Sequence, residues 1–301
     1  KVSLFEPSNE PSILDVLPIS FRNFQGSDVK QLTLKAYSKI MESKTLETLI
    51  LDVADNGIAT VTMNRPEKKN AANFTMWREL RETWNEISIA PDIRAVIMTG
   101  AGDAFCSGAD LGGDAPKMHQ LQSMNLIHKT IQALYSIMVP VVAKVNGVAA
   151  GAGMNMALAC DLIVASDSAR FSEIFAKRGL SVDFGGTWIL PRLIGLHKAK
   201  ELAFFADVIS ADEAKEFGFV NHVVPDSELD DFVAQWSQRL ASGPPLALAM
   251  TKRLLTLNAT ADFSTALEGE GMAQTINFYT SDTNEAVSAF LEKREPQFKG
   301  R

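Results

Sequence analysis

One carboxylate in apolar company is the chain's first candidate for chemistry. Asp183 stands in the run Ser181-Val182-Asp183-Phe184-Gly185-Gly186-Thr187-Trp188, with Phe175 close upstream. Desolvation disfavours a charged carboxylate, so an aspartate in such surroundings has a raised pKa. A group tuned in that way can take and return protons near neutral pH. The same position also suits a plain structural role, as the N-cap of a helix opening at Phe184-Gly185-Gly186.

Two segments of small residues offer a second kind of chemistry. One is Ala104-Phe105-Cys106-Ser107-Gly108-Ala109-Asp110-Leu111. The other is Asn146-Gly147-Val148-Ala149-Ala150-Gly151-Ala152-Gly153-Met154-Asn155. Each follows an apolar, strand-like run. A strand that gives way to a loop or helix leaves backbone N–H groups free, and a helix adds the positive end of its dipole. Two such junctions side by side can hold an oxyanion between two N–H groups. Tight turns in a packed core would account for the same glycines. Other motifs fail on detail. Met156 replaces the third glycine of a dinucleotide fingerprint, and no Gly-Lys-Ser/Thr phosphate loop is present. Phe105 stands where a Gly-x-Ser-x-Gly nucleophile elbow needs glycine.

The elements that would position these residues follow from periodicity. Leu49–Val53 and Ile58–Met63 are β-rich runs split by Asp55-Asn56-Gly57, a hairpin signal. Phe74–Ile89 has helical spacing. Residues 95–99 read as a buried strand, 117–138 as helix, Val141–Val145 as a second buried strand, 151–160 as helix and 161–165 as strand. Alternating strands and helices make the class α/β. From Leu196 onward the chain is mostly helical. Residues 1–44 differ: Pro7, Pro11 and Pro18 punctuate a stretch without sustained period, followed by a short amphipathic segment over 31–41. They are an N-terminal extension.

Composition narrows the function classes. The 29 basic against 36 acidic residues give a net charge of −7, which argues against nucleic-acid binding. No apolar run nears the roughly 18 residues that span a bilayer, so no membrane partner is expected. Two cysteines, Cys106 and Cys160, make no disulfide framework and suit a reducing compartment. Nothing near Cys106 in sequence would activate it. The histidines, His119, His128, His197 and His222, lack metal-ligand spacing, so no metal is expected. His119 and His128 read as surface or packing residues. The N-terminal segment has no signal-peptide core and carries Glu6, Glu10, Asp15 and Asp28, unlike a transit peptide. A cytoplasmic enzyme is the expectation.

In order and at spacing, these segments resemble the crotonase, or enoyl-CoA hydratase/isomerase, superfamily. The resemblance runs over 45–301. It rests on Asn64-Arg65-Pro66, the two small-residue segments, Phe171 with Gly179 and Gly185-Gly186-Thr187, and the tail Phe290-Leu291-Glu292-Lys293-Arg294 with Phe298-Lys299. It implies a spiral of ββα units over 45–240 and a helical trimerisation or lid region over 241–301. It also implies an acyl-CoA thioester as substrate, with coenzyme A entering as part of that substrate and no separate cofactor. The assembly it implies is a homotrimer or a dimer of trimers.

By motif position, the N–H groups that hold the thioester enolate are those of Ala109 and Ala152. Gly108, Asp110, Leu111 and Gly151 would adjoin the substrate, with backbone at 109–111 against adenine. Lys68 or Lys69 would meet phosphate, a solvated charge run being the alternative reading of that pair. Phe290 and Lys293 match tail residues that reach coenzyme A in relatives, often from a neighbouring subunit. Phe175 would shape the acyl pocket. Hydratases of the family carry two catalytic glutamates, and their positions hold Asn155 and Phe175 here. Asp183 takes a position where isomerases and a dehalogenase of the family carry a functional aspartate. The likeness is nearest to the ring-epoxide isomerases of phenylacetate catabolism, through 146–153, the run from Asp183 to Trp188, and Leu190-Pro191-Arg192.

The expected activity is therefore isomerisation of an unsaturated or ring-activated acyl-CoA, with Asp183 as acid and base. The alternatives are a hydratase of low activity using Asp114 or Glu270, a dehalogenase with Asp183 as nucleophile, and a non-catalytic acyl-CoA binder. Glu173 shares a strand face with Phe171, without an expected catalytic role.

Overall fold

The apolar runs form two sheets that the chain visits in alternation. The computed structural model describes residues 40–112 and 119–301. The amphipathic stretch over 31–41 and Asp114 therefore lie wholly or almost wholly outside the described residues. A short strand β1 (Lys44–Thr45) pairs with β2 (Leu49–Val53), which turns through Asp55-Asn56-Gly57 into β3 (Ile58–Met63). Helix α1 (Phe74–Ile89) begins at Asn73, whose side chain accepts from the Met76 N–H.

From there each pass of the chain lays one strand in each sheet. The first pass gives β4 (Ala95–Gly100) and β5 (Ala104–Cys106), then α2 (Gln120–Tyr135). The second gives β6 (Val141–Val145) and β7 (Val148–Ala150), then α3 (Ala152–Leu158). The third gives β8 (Leu162–Ser166) and β9 (Arg170–Ser172). Two helices follow, α4 (Gly186–Ile194) and α5 (Leu196–Phe205). Strand β10 (Ile209–Ser210), helix α6 (Ala211–Phe217) and strand β11 (His222–Val224) close the spiral.

The large sheet has the order β1-β2-β3-β4-β6-β8-β11 and the small one β10-β9-β7-β5. From β3 onward the large sheet is parallel, and β5, β7 and β9 are parallel in the small sheet. This is the crotonase-type spiral of α/β units. Strands buried on both faces read as continuous apolar runs, as β4 and β6 do.

One core joins buried side chains of both sheets to those of α1 and α3, with Trp84, Phe105, Phe171 and Phe184 fully buried. Helix α7 (Leu229–Ala241) covers the other face of the large sheet through Leu229 and Val233 on Val142 and Val164. His222 packs edge-on against Trp236 and at a tilt against Phe232, a packing role. Helices α8 (Pro245–Asn258), α9 (Phe263–Phe278) and α10 (Ser281–Glu292) follow. Neither α8 nor α9 buries a residue fully, and Leu255, Phe263, Met272, Ile276 and Phe290 stand in solvent.

Element bounds differ from the sequence expectation at four places, the first being the strand expected over 95–99, which runs on to Gly100. The helix expected over 117–138 ends at Tyr135, and its first described turn begins at His119, which caps it in a capping box with Gln122. The helix expected over 151–160 is Ala152–Leu158, and the strand after it begins at Leu162, because Asp161 accepts from the Val141 N–H. No described helix is long and apolar enough to cross a membrane, and the described residues hold no cluster of three or more His, Cys, Asp or Glu suited to a metal ion.

Candidate active site

The two small-residue segments meet at the ends of β5 and β7. Ala72 is bridged to Ala109 as an isolated parallel pair: its N–H donates to Gly108 and its carbonyl accepts from Asp110. In that pattern the Ala109 N–H faces away from Ala72, and it has no backbone acceptor among the described residues. Ala152 is the first residue of α3, where N–H groups have no partner within the helix. A Cβ added to Gly108 would stand 3.0 Å from the Ala150 carbonyl oxygen and 3.8 Å from the Ala152 nitrogen. The two free donors thus belong to adjoining backbone turns, at the positive end of α3.

Close approach makes this possible. A Cβ on Gly153 would fall 2.1 Å from the Cys106 carbonyl oxygen, so only glycine lets α3 lie against β5. Gly151, at φ 53° and ψ −126°, has a backbone conformation closed to L side chains. Gly153→Ala should cost about 1–3 kcal/mol through overpacking, measured as a shift in urea midpoint with unchanged slope.

A salt bridge stitches the first turn down. Arg65 Nη2 lies 2.9 Å from Asp110 Oδ2, and Arg65 Nη1 donates to the Ala71 carbonyl at 2.5 Å. Asp110 Oδ1 accepts from the Gly112 N–H at 3.1 Å. The Arg65 guanidinium holds the Asp110 carboxyl below its ordinary pKa, with the charge of Lys68 assisting.

Asp183 lies half-buried in the turn before α4. Its side chain caps nothing: Gly185 is the N-cap, and the part of Asp183 that bonds Gly186 is the main-chain carbonyl. The N-cap alternative is therefore excluded. Asp183 Oδ1 is buried without a hydrogen-bond partner among the described residues. Desolvation raises its pKa, and the charge of His128 on α2 opposes that rise. Phe184 follows at φ 52°, uncommon for a bulky residue. Its ring is fully buried 5.0 Å from that of Trp77, which anchors the turn.

Asn155 and Glu173 complete the cluster. Asn155 Nδ2 donates to the Asp183 carbonyl at 2.9 Å and to Glu173 Oε2 at 3.4 Å. A Cβ on Gly186 would overlap the Asn155 amide, so glycine there lets the amide sit against the start of α4. Glu173 is 1 % exposed, and burial pushes its pKa up to about 8, with the Asn155 bond opposing and the Asp183 charge reinforcing. Phe175 is buried, its ring 3.6 Å from where a Gly151 Cβ would be. Cys106 is buried in the core and its thiol is pushed up to about 11 by desolvation, an inert side chain.

The other sequence-predicted residues scatter. Gly108 and Gly151 belong to the two donor turns. Leu111 is 70 % exposed at the edge of the described residues. Lys68 is exposed beside that loop and makes no ion pair among the described residues, whereas Lys69 pairs with Asp103. Phe290, 82 % exposed, and Lys293, the left-handed C-cap, are on α10, which packs against α9. Glu270 is exposed on α9. Sequence reasoning gave Glu173 no catalytic part and His128 a surface or packing one. The alternation along β9 pointed Glu173 inward, but its neighbours come from distant segments.

Residues 53–301 match the family described as "Enoyl-CoA hydratase/isomerase". The chain is 38% identical over 259 residues to the 1,2-epoxyphenylacetyl-CoA isomerase of Escherichia coli, covering 84% of this chain and 98% of that protein. It is 37% identical over 261 residues to the short-chain-enoyl-CoA hydratase of Clostridium acetobutylicum, covering 85% and 99%. A crystal structure of an enoyl-CoA hydratase from Bacillus anthracis superposes with a TM-score of 0.81 at 34% identity, over 85% of this chain and 100% of that one.

Proposed function

The chain belongs to the enoyl-CoA hydratase/isomerase family, a family of enzymes acting on acyl-CoA thioesters, and we propose that within it this protein is an isomerase. The observation that carries this is the inventory of acids. Both positions of the paired hydratase glutamates hold other residues, Asn155 and Phe175, while Asp183 keeps a half-buried carboxyl with a free oxygen.

The thioester oxygen accepts from the Ala109 and Ala152 N–H groups. The Asp183 carboxylate removes a proton α to the thioester, and the electron pair moves onto that oxygen as a dienolate. Donors aimed at developing charge stabilise the transition state more than the ground state. The Asp183 carboxyl then returns its proton at the γ-carbon, and the double bond moves into conjugation. One carboxyl serves both steps because no water is added. Raised pKa narrows the gap between the carboxyl and the weakly acidic carbon. Ring-activated acyl groups fit the same chemistry.

Coenzyme A would lie along backbone at 109–111, with Lys68 near phosphate. Phe290 and Lys293 would serve a neighbouring copy's site in a homotrimer or a dimer of trimers. The apolar side chains that α8, α9 and α10 expose support an assembly, since large exposed patches mark interfaces.

Hydration is the second reading, favoured by the relative named as a short-chain-enoyl-CoA hydratase. It requires a second group to activate water. The test is a direct comparison of 3-hexenoyl-CoA isomerisation with crotonyl-CoA hydration. Isomerisation at least a hundred times faster, on the order of one missing acid–base group, is expected. Hydration at equal or greater rate would overturn the assignment.

A further inference from the structure

The buried amide and acid beside Asp183 have a donor count that does not close. The Asn155 carboxamide owns two N–H donors and one acceptor. Its donors serve the Asp183 carbonyl and Glu173 Oε2. The reverse amide orientation would aim an oxygen at the Asp183 carbonyl, so the assignment is fixed by chemistry. Among the described residues Asn155 Oδ1 is then left without a partner, and so is Glu173 Oε1. Both residues are fully buried, Asn155 at 0 % and Glu173 at 1 % exposure. Were Glu173 ionised, two acceptors on touching side chains would lack any donor, and a buried charge would stand unpaired. Each such orphan is costly.

One proton closes the count. On Glu173 Oε1 it becomes the donor that Asn155 Oδ1 lacks, and both orphans vanish together. We propose that Glu173 is a neutral carboxylic acid, hydrogen-bonded through both oxygens to the Asn155 carboxamide, and that this acid–amide pair is the clamp that positions Asp183. The clamp acts on the main chain: Asn155 holds the Asp183 carbonyl, and so fixes the turn from which the reacting carboxyl projects. Glu173 is thus a positioning residue, not a catalytic one. The clamp's role rests on Asp183 being the proton carrier, whereas its protonation state does not.

The surrounding charges agree. Asp183 is the one charged group that acts on Glu173 among the described residues, and it is of like sign. Helix α3 contributes no charged residue. Lys177 and Arg178, on the turn after Glu173, are exposed, and Lys177 pairs with Asp207. On α4, Arg192 lies over the Trp188 ring, and His128 acts on Asp183. Among the described residues no cation neutralises an ionised Glu173. Its folded pKa of about 8 lies above the usual 4.5. The unfolded chain therefore binds fewer protons in that interval. The pair's contribution to stability is complete below about 4.5 and is lost as pH rises through about 8.

Two measurements on the substrate-free protein and one on turnover test this. Infrared difference spectra between neutral and alkaline pH should show a protonated-carboxyl stretch that disappears above pH 8 and is absent from Glu173→Gln. The wild type should lose stability against Glu173→Gln as pH rises. With 3-hexenoyl-CoA as probe, Glu173→Ala should lose about ten-fold or more in kcat with little change in KM, as an orphaned buried amide loosens the turn. Glu173→Gln, which offers an N–H and a C=O in the same places, should restore kcat to within about three-fold and keep it flat above pH 8, where the wild type declines. A carboxylate signal for Glu173 at neutral pH would overturn the proposal whatever the turnover. So would a folded Glu173→Gln as inactive as Asp183→Asn, since Glu173 would then be exchanging protons itself. Full activity in Asp183→Asn would instead refute the proposed function and leave the infrared result standing.

Discussion

Asp183→Asn should lower kcat for double-bond migration in 3-hexenoyl-CoA by about 10²–10⁴-fold and leave acyl-CoA binding unchanged within about three-fold. The structure separates the chemical from the structural part of this residue. Its main-chain carbonyl accepts from Gly186 and Asn155, and asparagine keeps that carbonyl. Its carboxyl Oδ1 has no partner to lose among the described residues. The variant should therefore fold with unchanged or higher stability, because a carboxylate penalised by desolvation is replaced by a neutral amide. The pH profile gives a second check. The base form must be the carboxylate, so the wild-type rate should fall as pH drops through a pKa above the ordinary aspartate value of 3.8. Calorimetric binding of an unreactive acyl-CoA thioether and steady-state kinetics measure both halves. Unchanged turnover would remove Asp183 from the chemistry.

Ala152→Pro is expected to cost about 10²–10³ in kcat, the usual loss for one oxyanion donor, with the helix intact. This substitution deletes an N–H at the one helical position where proline is well tolerated. Ala152 is the first residue of α3, and its N–H has no intrahelical partner to lose. Residues before proline favour extended backbone. Gly151, at φ 53° and ψ −126°, has the mirror image of that conformation, which glycine alone adopts at no steric cost. Circular dichroism and the melting temperature should stay close to wild type while turnover collapses. A variant with wild-type kcat would show that the Ala152 N–H does not hold the developing oxyanion.

Much of the scaffold was legible because burial writes itself into periodicity. Leu49–Val53, Ile58–Met63, Phe74–Ile89 and Val141–Val145 have the bounds that their apolar spacing predicts. The second sheet was not legible. Strands β5, β7 and β9 are three residues each, too short to show a period. What makes them strands is pairing with one another across distant segments, as Ala149 does with Phe171. Asp183 announced itself by its local company, Val182, Phe184 and Trp188. Glu173 did not, because its environment is assembled by Asn155 from α3 and by the turn before α4. Buried polar pairs of this kind depend on tertiary contacts that no local window contains. The left-handed Phe184 was hidden for the same reason: burial of its ring against Trp77, on the distant helix α1, holds a backbone conformation that local preference disfavours.

Enolate chemistry at the thioester is the central claim, and proton NMR of 3-hexenoyl-CoA with the protein in D₂O tests it most directly. The expected result is migration of the double bond to the α,β-position with deuterium entering the acyl chain, abolished in Asp183→Asn. A folded protein that binds 3-hexenoyl-CoA yet neither moves the double bond nor exchanges the α-protons would contradict it.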